Sequence, residues 1–184
     1  LTLAGAAAML VSWFQPWWTA YVVALKENGV AIFPYQMAVS STLQDYPQWL
    51  MGAEMPSWFF PLMWVYLAGC MAALAFSLFA SDKMRLGIGK LGLPLPSALV
   101  TGVGFSFIVF VVVFVAVVSM RAPEFYDAPL QGSIFVRMAE HEGNAESYVD
   151  TGLQLGFWIA CVTGPFLFIL GLLRGLIVGK PKAN

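Results

Sequence analysis

No charged residue occurs between Lys90 and Arg121, and residues 107–118 of that stretch read FIVFVVVFVAVV. A helix needs about 20 apolar residues to cross the hydrocarbon core of a bilayer. Residues 97–120 are therefore expected to form a membrane span. The run shows no helical amphipathic period, so its whole circumference is apolar, as lipid and packed neighbour helices both demand. Composition agrees: 60% of the 184 residues are hydrophobic and 10% are charged, against about 25% charged in a soluble domain. The formal net charge of −1 argues against nucleic acid as a partner, which needs a basic face.

Three further apolar runs give a four-span reading. The first covers residues 1–18 and is rich in Ala (AGAAAMLV). It closes on Trp13-Phe14-Gln15-Pro16-Trp17-Trp18. Trp marks the membrane–water interface, where an apolar ring and a polar N–H are both satisfied, and Pro16 lacks the N–H to continue a helix. Residues 1–15 would reach only about 22 Å at 1.5 Å per residue. That shortness, with Leu rather than Met at position 1, reads as a processed or incomplete start. The other runs are residues 58–80, with Pro61 tolerated in the first turn, and residues 151–178. They leave two outer segments, 19–57 and 121–150, and one inner loop, 81–96. A single membrane domain accounts for the chain.

Residues 19–25 (TAYVVAL) are β-branched and aromatic, and residues 30–33 (VAIF) follow Lys26-Glu27-Asn28-Gly29. Asn-Gly between two such runs is the strongest short hairpin signal, so a hairpin turning at Asn28-Gly29 is expected. One kinked helix running through Pro16 to Leu25 is the alternative. Residues 133–138 (SIFVRM) offer a further strand. If it joins the hairpin, the two outer segments build a small antiparallel sheet.

Basic residues set the orientation. Lys83, Arg85 and Lys90 of the inner loop share a side with Arg174, Lys180 and Lys182, while the outer segments hold Lys26, Arg121 and Arg137. The positive-inside rule then places both termini and the inner loop in the cytoplasm, in what is expected to be the plasma membrane.

Little chemistry is readable. No span carries a charge at mid-depth, the usual mark of an ion path or proton relay. His141 is the only histidine. Glu140, His141, Glu142, Glu146 and Asp150 could be read as a metal site, but a solvated acidic loop accounts for them better. Gly87, Gly89 and Gly92 lie between two spans rather than in a βαβ unit, so they do not read as a phosphate loop. Cys70 and Cys161 sit in apolar runs and read as buried thiols. No catalytic, cofactor or metal residue is expected. Gly152 with Gly156, and Gly171 with Gly175, form small-xxx-small pairs that let helix backbones approach closely. The aromatic residues of the outer segments, Trp17, Trp18, Tyr21, Phe33, Tyr35, Trp49, Phe125, Tyr126 and Phe135, are the candidate interaction residues.

This layout resembles the claudin-like four-helix membrane proteins. In that family the first span ends in a Pro/Trp motif leading into a hairpin, as residues 13–18 and 19–33 do here. Glu124-Phe125-Tyr126-Asp127-Ala128-Pro129-Leu130 is similar to the family's aromatic-Asn-Pro stretch. Residues 152–171, with Phe157-Trp158, resemble its Gly/Trp-bearing fourth span. The chain lacks the family's Gly-Leu-Trp motif with two flanking cysteines, since residues 19–57 contain Trp49 but no Cys. The resemblance implies a shared architecture and lateral assembly, or association with a larger membrane protein.

The fold expected is thus mainly α, a four-transmembrane-helix bundle with a small extracellular antiparallel sheet. The function expected is non-enzymatic: interaction or assembly within the membrane, with the bilayer and a homo-oligomer or other membrane subunits as partners. The alternatives are an accessory subunit of a larger membrane enzyme or electron-transfer complex, and a small-molecule channel.

Overall fold

The computed structural model describes residues 1–40, 56–81, 85–88, 91–121, 128–140 and 143–178. Among the described residues the helices are α1 (Thr2–Phe14), α2 (Phe59–Phe79), α3 (Leu95–Arg121) and α4 (Leu155–Val178). The strands among them are β1 (Trp18–Val22), β2 (Glu27–Ile32), β3 (Met37–Val39), β4 (Arg85–Ile88), β5 (Leu91–Pro94), β6 (Gly132–Glu140) and β7 (Gly143–Leu153). Among the described residues, α2, α3 and α4 contain stretches long and apolar enough to cross a membrane.

The expected fourth span is not established. Helix α1 has 13 residues, about 20 Å at 1.5 Å per residue, against a hydrocarbon core of about 30 Å. It stops at Phe14, two residues before Pro16, and Trp18 already belongs to a strand. The last span is also shorter than residues 151–178: positions 151–153 finish β7 and the helix starts at Leu155.

The chain divides into two compact units. The first comprises Leu1–Val11, Leu62–Val111 and Ile159–Asn184. Its helices are apolar all round, and packing selects the buried stripe. In α2 the buried residues are Met63, Leu67, Cys70, Leu74 and Ser77, an alternating four-three spacing that keeps one seam facing its neighbours. Glycine sets the approach of α3 to α4. A Cβ at Gly104 would meet the backbone of Leu167 and Phe168, and one at Gly171 would meet Thr101 and the Ser97 carbonyl. At Gly164 it would meet Ile108. Polar links join the helices too: the Tyr66 and Ser106 hydroxyls lie 3.2 Å apart, and Arg174 donates to the Ser77 carbonyl at 3.4 Å. The second of these places a cation on the last turn of α2, where carbonyls lack helical partners. Strands β4 and β5 pair antiparallel in this unit, where the sequence reading expected a plain loop.

The second unit comprises Ser12–Pro61 and Val112–Trp158. Its centre is a five-stranded sheet in the order β3-β2-β1-β7-β6, antiparallel at every pairing. A hairpin and a strand at residues 133–138 are present, but β6 does not join the hairpin directly. β7, in a segment expected to be loop, lies between them and pairs with β1 from Trp18↔Leu153 to Val22↔Val149.

The β1–β2 turn also differs from expectation. It occupies residues 23–26, where the Lys26 N–H donates to the Val23 carbonyl at 3.3 Å and Lys26 adopts φ 54°. Asn28 sits in β2 opposite Tyr21, and the register shifts by one between Ala20 and Tyr21, leaving Gly29 as the extra residue of a bulge. The physical reason is burial. This register sets Trp18 opposite Ile32 and Ala20 opposite Val30, and Trp18, Ala20, Val22 and Val30 are all buried. A turn at Asn28-Gly29 would shift those pairs out of alignment.

Candidate interaction surface

The sheet is anchored through Trp17. Its indole N–H donates to the Ser12 carbonyl at 2.9 Å, its backbone N–H to the Ile32 carbonyl at 2.8 Å, and its carbonyl accepts from the Gln154 N–H at 2.9 Å. The ring meets Phe114 edge-on at 4.9 Å and Phe157 at 6.1 Å, geometries that suit the aromatic quadrupole. The next residue, Trp18, donates from its indole to the Leu130 carbonyl at 2.8 Å. Both tryptophans are buried. They hold the sheet in place and offer no surface to a partner.

Tyr35 gathers a second aromatic group. Trp13 stacks on it at 6.3 Å, and Phe14, Phe33 and Phe60 lie at 6.2, 5.8 and 6.4 Å. Phe33 and Tyr35 are thus brought together, half-buried, in a cluster.

The outward aromatic surface lies elsewhere. On the β6–β7 hairpin Phe135 stands opposite Tyr148, with ring centroids 5.1 Å apart. They are 50% and 57% exposed. Alternation explains the face: Ser147, Val149 and Thr151 are buried, while Tyr148 and Asp150 between them are exposed, as period two requires. Asp150 accepts from the Ser133 hydroxyl at 2.5 Å and lies opposite half-buried Tyr21 in the register. Ser133, Phe135, Tyr148 and Asp150 are exposed and, with half-buried Tyr21, form one patch on neighbouring strands.

Of the candidate residues, Tyr21 and Phe135 belong to this patch. Trp49, Phe125 and Tyr126 lie outside the described residues, as do His141 and Glu142. Tyr148 is not among the sequence candidates, although the alternation in residues 147–151 (SYVDT) is a legible strand signal. The sequence reading sets Gly152 and Gly156 as a small-xxx-small pair on one helix. That reading is corrected: Gly152 is a β7 residue paired with Thr19, and only Gly156 lies in α4. Gly171 and Gly175 share α4. Gly104 and Gly164, the further close approaches between α3 and α4, are not among the sequence candidates.

No group of three or more His, Cys, Asp or Glu side chains that could hold a metal ion occurs among the described residues. Cys70 is buried and Cys161 partly so, and both are free thiols. The arrangement offers aromatic faces, backbone hydrogen-bonding groups and one exposed carboxylate, which suit recognition. No family model matches the chain, and no curated protein or solved structure aligns with it significantly.

Proposed function

We propose that this is a non-enzymatic membrane protein of claudin-like architecture, acting in interaction or assembly through its five-stranded sheet. The observation that carries the reading is the exposed Phe135–Tyr148 pair on a long hairpin at one end of the sheet. Aromatic residues are enriched at protein–protein interfaces. Three helices suited to a bilayer support placing the chain in a membrane. The charge asymmetry of the loops supports an orientation with the sheet outside and the termini inside.

The test is extraction from native membrane in a gentle detergent, followed by mass measurement of the intact particle. Oligomers, or a defined set of co-purifying chains that is lost when Phe135 and Tyr148 are both changed to Ser, are expected. A bare monomer in every mild detergent overturns the reading. Co-purification with redox or catalytic subunits, unaffected by the two substitutions, favours the accessory-subunit alternative.

A further inference from the structure

The N–H and C=O groups along one side of β6 have no strand beside them among the described residues, because β6 ends the sheet. Which groups these are follows from the ladder. The Val23 N–H donates to the Tyr148 carbonyl, and the Gln154 N–H donates to the Trp17 carbonyl. These bonds turn the even-numbered residues of β7 toward β1. Residues 145, 147, 149 and 151 therefore turn toward β6. Their partners Met138, Val136, Ile134 and Gly132 exchange the β6–β7 bonds, because antiparallel pairs alternate between bonded and non-bonded. Ser133, Phe135, Arg137 and Ala139 are left with N–H and C=O directed to the open side.

We propose that β6 pairs antiparallel with β6 of a second copy of this chain, about a twofold axis through Val136. This rests on the reading of the sheet as an assembly surface and names its partner. In that register Ser133 faces Ala139 and Phe135 faces Arg137 of the other copy. All four outward residues of each strand then sit in bonded pairs, which a shift of one residue would abolish. The register is also compatible in side-chain type. Arg137 and Glu140, the two charges of β6, fall opposite Phe135 and Gly132, so no like charges meet. Ile134 falls opposite Met138, and Val136 opposite itself. An isologous contact of this kind closes as a dimer. Among the described residues the edge carries few of the usual protections against such pairing, its charges being Arg137 and Glu140. β6 contains no Pro and no Lys, its register with β7 runs unbroken from Gly132 to Glu140, and it is nine residues long. Edges that must stay single are commonly short, bulged, covered, or marked by Pro or charges, Lys above all.

Cross-linking in intact membranes tests the register. Copies carrying Ser133→Cys and copies carrying Ala139→Cys are co-expressed and treated with a short thiol cross-linker. Facing residues of a bonded antiparallel pair lie about 5.5 Å apart, so a covalent dimer is expected from the mixture. Either variant alone sets its two thiols about 20 Å apart along the ladder and should give no more dimer than the unsubstituted protein. Equal yields from a single variant and the mixture, or none from the mixture, overturn the proposal. Phe135→Pro supplies a second arm. The N–H it removes faces the open side, so the β6–β7 ladder is kept while the dimer should be lost; a dimer that persists also overturns the proposal. Failure of both arms in a protein that still purifies with other chains rejects β6 pairing and leaves the assembly reading standing, whereas a monomer that carries no other chain rejects both.

Discussion

The Ser12 hydroxyl donates to the Gly156 carbonyl at 2.7 Å, joining positions 144 residues apart. The same glycine has no room for a side chain: a Cβ there would lie 2.7 Å from the Pro16 carbonyl oxygen and 2.8 Å from that of Gln15. The end of α1 and the first turn of α4 thus touch backbone to backbone. Trp17 closes the junction by donating to the carbonyl of Ser12.

Gly156→Ala should destabilise the protein by about 1–3 kcal/mol, because the clashing atoms are backbone and cannot turn aside. Ser12→Ala should cost about 0.5–1.5 kcal/mol, the net worth of one hydrogen bond. The double variant should cost less than the sum, since the two changes share one contact. Reversible unfolding in mixed micelles measures all three.

Glycines in the helices should divide into two classes. Gly104→Ala should lower the melting temperature in detergent by several degrees, since its Cβ meets the backbone of α4 and overpacking costs about 1–3 kcal/mol. Gly69→Ala has open space around it and should be neutral or stabilising by about 0.4–1 kcal/mol through the unfolded state. Equal melting temperatures for the two variants would contradict the α3–α4 approach.

The β1–β2 turn makes a prediction against the Asn-Gly signal. Lys26→Gly should stabilise by about 1 kcal/mol, because a non-glycine residue at φ 54° pays a left-handed penalty of about 1–2 kcal/mol, partly offset by glycine's extra freedom when unfolded. Asn28→Ala, in a strand rather than the turn, should change stability by less than about 0.5 kcal/mol. Thermal unfolding of the two variants ranks them, and the reverse order would move the turn to Asn28-Gly29.

Orientation is checked by thiol labelling. Tyr148→Cys should react with an impermeant maleimide on intact cells, and Ser81→Cys only after permeabilisation, because basic loop residues are retained in the cytoplasm. Reversed labelling would invert the topology.

Much of the helical content is written in residues 59–79, 95–120 and 155–174, where apolar runs long enough to cross a membrane suit a helix that satisfies its own backbone hydrogen bonds. The strands of β1 and β6 show equally in their β-branched and aromatic runs, and Pro16 marks the end of α1 within two residues. The buried faces of α2, α3 and α4 are not legible in this way. Val111 is buried while Val112 is exposed, and hydropathy cannot separate two valines in a helix that is apolar on every side. The choice falls to shape: Gly104 and Gly171 admit a neighbouring backbone, and the seam forms where it fits. Tertiary structure likewise decided the turn at residues 23–26, where pairing of β1 with β2 and β7 outweighed the local preference of Asn28-Gly29, and the placing of Gly152 in a strand. Apolarity along the chain determined that long helices form, because it acts on each residue alone; which faces meet depended on packing between residues distant in sequence, as Ser12 and Gly156 are.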